Sequence, residues 1–203
     1  MCYRRCGSTH KVRFLLLLIS TLTTTSICKA SSGDPYPNST SHGTPQNGSL
    51  SKGYLIVAAT GFYVYGTSSK RYANGSLRAL LEKVGSKWNE DYSAEHGKFG
   101  AGRASKKSGG EMPGASHENG LDLDLRYIRT DKAKKGVEIT DSQYDREASK
   151  SLIKLFLNHS SVTHVFTSDG TLRNQLNDSR VQNWAGHDDH FHVRIKDPDG
   201  TGN

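Results

Sequence analysis

Gly186-His187-Asp188-Asp189-His190-Phe191-His192-Val193-Arg194-Ile195 carries three of the chain's nine histidines within six residues, then alternates polar with apolar side chains. Successive side chains of a strand point to opposite faces, so His190 and His192 share one face while Phe191 and Val193 take the other. A second stretch, Ser116-His117-Glu118-Asn119-Gly120-Leu121-Asp122-Leu123-Asp124-Leu125-Arg126, ends in the same alternation. There Asp122 and Asp124 share a face, and Leu121, Leu123 and Leu125 can fill a core behind it.

The remaining elements follow from periodicity. Val162 to Thr167 reads as a buried strand, and Gly61 to Gly66, rich in strand formers between two glycines, as a short one. Ser76 is placed to cap a helix whose Leu77, Leu80, Leu81, Val84 and Trp88 recur on one helical face. A second helix is predicted after Asp141, with Tyr144, Ala148, Leu152, Ile153, Leu155 and Phe156 as its buried stripe. Gly97 to Gly110, rich in glycine and lysine, reads as loop. Separate strands mixed with two amphipathic helices predict an α+β fold, a small central antiparallel sheet with flanking helices and a metal site on the sheet face.

The metal follows from the residue types. Two imidazoles two residues apart on a strand are about 7 Å apart at the backbone, near enough to share a small site. Gly120 lets the loop carrying His117 turn back toward the strand, so that His117 and Asp124 could meet one ion. Two neutral imidazoles and one carboxylate, with a position left for water, make up the usual catalytic zinc site. Such an ion lowers the pKa of its water toward 7 and polarises a carbonyl, as peptide hydrolysis requires.

The N-terminal quarter is of a different kind. Arg4, Arg5, Lys11, Arg13 and Lys29 precede or follow the apolar run Phe14 to Ile19, and Ala30 offers a small residue for cleavage. Residues 1–30 therefore read as a secretory signal peptide, and the apolar run is far below the roughly 20 residues of a spanning helix. No stable membrane insertion is expected after its removal, and the mature protein is expected in the periplasm or secreted. The formal charge of +7 falls almost entirely in this leader, since 22 basic residues remain against 20 acidic ones without it. That removes the case for nucleic-acid binding. All three cysteines, Cys2, Cys6 and Cys28, leave with the leader or sit in it, so the mature chain has no thiol chemistry or disulfide. From Ser31 to Ser51, 16 of 21 residues are Ser, Gly, Pro, Asn or Thr, a composition that predicts a flexible tether over 31–52 ahead of a single domain at 53–203.

Together, Ser108-Gly-Gly-Glu-Met-Pro-Gly-Ala-Ser-His-Glu-Asn-Gly-Leu-Asp-Leu-Asp124 and Gly186 to Ile195 resemble the penicillin-insensitive murein endopeptidase family. This is a branch of the zinc peptidases that also includes lysostaphin-type enzymes, D-Ala-D-Ala peptidases and the Hedgehog domain. The resemblance implies one Zn2+ held by His117, Asp124 and His192, with His190 and His187 as the catalytic histidines. It also implies a substrate, the peptidoglycan cross-link between D-alanine and the diamino acid of the neighbouring stem, cut by attack of a zinc-bound water. Here His190 would accept the proton, and His187 would stabilise the oxyanion or protonate the leaving amine. Gly114 stands where relatives often carry a further histidine, and Arg103 where an acid is expected.

Two alternatives compete. A D-Ala-D-Ala carboxypeptidase or dipeptidase would need a glutamate base shortly before the last ligand, and none occurs after Glu147. A non-catalytic wall-binding or signalling module would close its metal with four ligands, whereas two further histidines here are left over. Among aromatic residues, Tyr63, Tyr65 and Trp88 fall at core spacing, while Trp184 is close enough in sequence to His187 to wall a substrate cleft.

Overall fold

The structure, a computed structural model, describes residues 35–198 and 200; the expected leader and its cysteines lie outside the described residues. The chain opens with a hairpin of β1 (Thr40–Thr44) and β2 (Asn47–Ser51). It continues through β3 (Tyr54–Leu55), β4 (Phe62–Val64), β5 (Tyr72–Ala73), α1 (Gly75–Asp91), α2 (Ser93–His96), β6 (Phe99–Ala101) and β7 (Asp122–Arg126). The second half comprises α3 (Arg146–Leu157), β8 (Val162–Phe166), α4 (Gly170–Leu176), β9 (Val181–Gln182) and β10 (His190–Ile195).

Six strands form one sheet in the order β4-β6-β7-β10-β8-β9. Its centre, from β6 to β8, is antiparallel as expected, but both edge pairs, β4 with β6 and β8 with β9, are parallel, so the sheet is mixed. The alternation read from the sequence sets the faces: Leu123, Leu125, Phe191, Val193 and Val165 are buried in the core. Against them pack α1, through Leu77, Leu81, Val84 and Trp88, and α3, through Leu152, Ile153 and Phe156. The opposite face carries Asp122, Asp124, His190, His192 and Arg194.

Several boundaries depart from the sequence reading, each for a hydrogen-bonding reason. The cap of α1 is Asn74, whose side chain accepts from the Ser76 amide at 2.9 Å, so Ser76 lies inside the helix. The cap of α3 is Asp145, accepting from Ala148 N at 2.9 Å, while Asp141 closes the preceding turn by accepting from Glu138 N. Tyr144 accordingly precedes the helix. The glycine-rich stretch from Gly97 contains β6, because Phe99 and Ala101 are buried while Gly100 and Gly102 leave room for the rings of Tyr63 and Tyr65.

The expected tether is the largest correction. Its residues 40–51 form the hairpin, whose Ser41 and Leu50 are fully covered. A composition poor in apolar residues misleads here because backbone pairing and one buried leucine are enough to order a short hairpin that docks on a preformed surface. Ser41 Oγ donates to Asn119 O at 2.8 Å, Gly48 N donates to Glu118 Oε2 at 3.0 Å, and Leu50 N donates to Ser108 O at 3.0 Å. Gly120, at φ 76°, lies so near Leu50 that a β-carbon would approach its Cδ2 to 2.8 Å. Leu50→Ala is therefore expected to lower the unfolding free energy by about 2–4 kcal/mol in urea titrations, the range for truncating a packed leucine. A free tether would leave the midpoint unchanged.

Candidate metal centre

The register of β7 against β10 sets Asp124 opposite His192 and Asp122 opposite Arg194 at the middle of the sheet. Those four side chains meet on the face away from the core. The third ligand candidate arrives from the preceding loop: His117, at φ 80°, adopts a left-handed backbone that costs a non-glycine residue on the order of 1 kcal/mol. The strain is met by hydrogen bonds. His117 N donates to Asp122 Oδ2 at 3.2 Å, and the ring Nδ1 lies 3.0 Å from Ala104 O. A carbonyl can only accept, so Nδ1 carries a proton, and Nε2 is the nitrogen that faces Asp124 Oδ1, 3.1 Å away.

His192 turns the other way. Its Nδ1 lies 3.3 Å from Asp124 Oδ1 and its Nε2 lies 3.1 Å from Asp122 Oδ1. One nitrogen thus faces the candidate centre, and the other faces a buried carboxylate. Candidate ligand atoms of His117, Asp124 and His192 lie within 4.8 Å of one another, and all three residues are buried. This group could hold a metal ion.

Two further observations support the fit. Asp124 Oδ1 is buried and accepts no hydrogen bond, so a cation would satisfy it. The protein around it is also organised to meet negative charge. Arg103 Nε donates to Asp124 Oδ2 at 3.0 Å, and Arg194 forks onto Asp122 at 2.7 and 3.0 Å. Burial opposes ionisation of Asp122, but His192 and Arg194 outweigh it and hold the carboxyl far below the usual range. Asp124 is likewise desolvated yet held well below that range by His117 and His192. Burial disfavours a charge on His192, but the two aspartates push it up to about 9, so in the metal-free protein a proton takes the place of a cation.

The centre lies at the floor of a cleft of about 190 Å³ walled by Trp184, His187, His190 and Phe166. His190 Nδ1 sits 2.6 Å from Asp189 Oδ1, and its Nε2 is 3.7 Å from Asp124 Oδ1. His187 lies with its ring centroid 4.7 Å from that of His190; its amide donates to Ser168 Oγ and its Nδ1 to Trp184 O, each at 3.1 Å. Burial lowers the His187 pKa and the neighbouring His190 and His192 lower it further, which favours the neutral ring. Trp184, 37% exposed, lines the cleft and meets Phe166 edge-on at 4.8 Å.

All six residues singled out in the sequence converge on this cleft. The sequence reading missed the groups behind them. Asp122 was legible as the face-mate of Asp124, yet its grip on His117, His192 and Arg194 depends on long-range contacts. Arg103, read only as a departure from an expected acid, is an ion-pair partner of Asp124 and also donates to Pro113 O at 2.7 Å. Gly114 lines the cleft at φ 105°.

No family model matches the chain. A search of curated proteins finds 26% identity over 174 residues to a penicillin-insensitive murein endopeptidase of Klebsiella pneumoniae (strain 342). The match covers 72% of this chain and 62% of that protein, so the chain spans less than two thirds of the relative's length. Sequence similarity thus relates this chain to a murein endopeptidase, and the structure separately brings His117, Asp124 and His192 together as a group that could hold a metal ion.

Proposed function

We propose that the protein is a zinc metallo-endopeptidase that hydrolyses the peptide cross-links of bacterial peptidoglycan between D-alanine and the diamino acid of the neighbouring stem. The observation that carries this reading is the buried His-Asp-His group at the floor of an open cleft, with two more histidines in reach, in a chain similar to a murein endopeptidase. His117 Nε2, Asp124 Oδ1 and His192 Nδ1 are the atoms that would hold the ion. When bound, a zinc ion supplies a Lewis acid for the peptide carbonyl and lowers the pKa of water toward 7. Three protein ligands in an open cleft suit a reactive site better than a structural one.

The histidines divide the proton work. His190 donates its Nδ1 proton to Asp189, which leaves Nε2 as an acceptor directed into the cleft. That arrangement makes it the general base. His187, fixed by Trp184 O and Ser168, is set beside it with Nε2 as its free ring nitrogen; after Nε2 takes up a proton it can stabilise negative charge on the carbonyl oxygen or pass that proton to the leaving amine. Trp184 contributes an apolar wall for the stem peptide. The wall substrate sets the place of action in the periplasm or outside the cell, in line with the leader read at residues 1–30.

Digestion of cross-linked peptidoglycan by the protein should convert dimeric muropeptides to intact monomers, with loss on chelation and recovery with zinc, read by mass spectrometry. Release of terminal D-alanine alone would instead indicate a carboxypeptidase, and no change with metal bound would indicate a non-catalytic module. His190→Ala should cut the rate about 10²- to 10⁴-fold while leaving zinc stoichiometry intact. Asp122→Asn, which keeps the ligand set and weakens its support, should reduce zinc affinity about 10- to 100-fold in competition titrations.

Proton linkage gives a separate test. Because the His192 pKa is raised on folding, its contribution to the stability of the metal-free protein is complete below about 6.5, the unfolded value, and is lost as pH rises through about 9. Metal must displace that proton, so zinc affinity should rise over the same interval. Opposite slopes for apo stability and zinc affinity between those values are the expected result of thermal melts and metal titrations.

A further inference from the structure

Beside the metal cleft lies a second one of about 340 Å³, and Arg103, Asp124 and His190 belong to the walls of both. Its far side is built from Tyr65, Lys70, Arg71 and Arg126. Tyr65, expected in the core, is only half-buried; its ring lies over Gly102, where a β-carbon would come within 2.3 Å of Cζ. Arg126 stacks on that ring, with its guanidinium carbon 4.1 Å from the centroid. Arg71 is anchored by a 2.6 Å hydrogen bond from NH1 to Ile56 O, while its Nε is buried and without an acceptor.

The charge balance of this cleft is uneven. The two carboxylates on its walls are already engaged, Asp124 by Arg103 and Asp189 by His190. Among the described residues, Lys70, Arg71 and Arg126 form no ion pair with any carboxylate. Three cations lining one cleft without an ion-paired carboxylate of their own leave a positive local potential, which favours an anion from solvent or a ligand. The Arg126 and Arg71 guanidiniums are fixed by stacking and by a backbone bond, so less entropy is lost when they receive such a group.

We propose that this second cleft is a carboxylate subsite, which takes a free carboxylate of the substrate peptide close to the scissile bond and so selects acidic peptides over their amidated forms. The inference rests on the peptidoglycan reading for the identity of the peptide. The recognition of an anion rests on the cations alone. Because the two clefts share the wall formed by Arg103 and His190, a peptide lying across the metal centre can place a side-chain or terminal carboxylate among Lys70, Arg71 and Arg126 without changing direction.

The test measures binding and hydrolysis separately. Isothermal titration of the zinc-loaded protein with a peptidoglycan stem tetrapeptide, its carboxylates free in one preparation and amidated in the other, reads the subsite without any turnover. The free form should bind about tenfold or more tightly, as expected for charge-assisted hydrogen bonds, and added salt should narrow the difference. Lys70→Met and Arg126→Met should each bring the free form toward the amidated one and leave the amidated form unchanged. Equal binding of both forms, no binding of either, or a preference that survives both substitutions overturns the proposal. Cleavage of cross-linked dimers measured in parallel reports on the enzymatic reading alone: a carboxylate preference without cleavage keeps the subsite and removes the endopeptidase.

Discussion

Two carboxylates, Asp122 and Asp124, stand side by side on the polar face of the sheet with almost no access to water. A buried carboxylate costs several kcal/mol unless it is matched by positive charge and hydrogen-bond donors. Much of the molecule on that face answers this demand. Arg194 takes up Asp122, Arg103 takes up one oxygen of Asp124, and His192 is shared between them. What remains is Asp124 Oδ1, and around it gather the nitrogens of His117 and His192. The site is thus the residue of an electrostatic problem that the strands alone leave incomplete.

The supports come from distant parts of the chain. The hairpin at 40–51 holds the turn at Glu118 and Asn119, which in turn sets the strained His117. The carbonyl of Ala104 fixes its tautomer. Ser168 and the Trp184 carbonyl orient His187 from the loops that follow β8 and β9. Each active-side histidine has one ring nitrogen occupied by the scaffold or a neighbouring acid, and this decides which nitrogen is available for chemistry.

Strands β4, β7, β8 and β10, both main helices and the histidine and aspartate cluster were legible in the sequence because residue alternation, strand-forming runs and helical spacing are local signals. Convergence of His117, Asp124, His187, His190 and His192 was legible only through the combined spacing of the two motif blocks. Other features depend on pairing across the chain. Nothing local in a Ser- and Gly-rich segment announces that Leu50 will be buried against Gly120, and the parallel edge strand β9, two residues long, is too short to show a period. Arg103 illustrates the same limit, because a lysine- and glycine-rich stretch gives no indication that one of its cations will pair with an aspartate 21 residues further on.

The hairpin also bears on the order of events as the chain folds. Ser41 contacts a residue 78 positions later, and Arg194 reaches back 72 positions to Asp122. Ligands and supports therefore come together only once nearly the whole chain is present, and such non-local contacts form late because loop closure must come first. An incompletely folded chain would offer a metal ion only scattered histidines and acids of weak individual affinity. An ion would thereby be held only after folding, and any proteolytic trimming that passes Thr40 would remove the brace from His117 while leaving every candidate ligand in place.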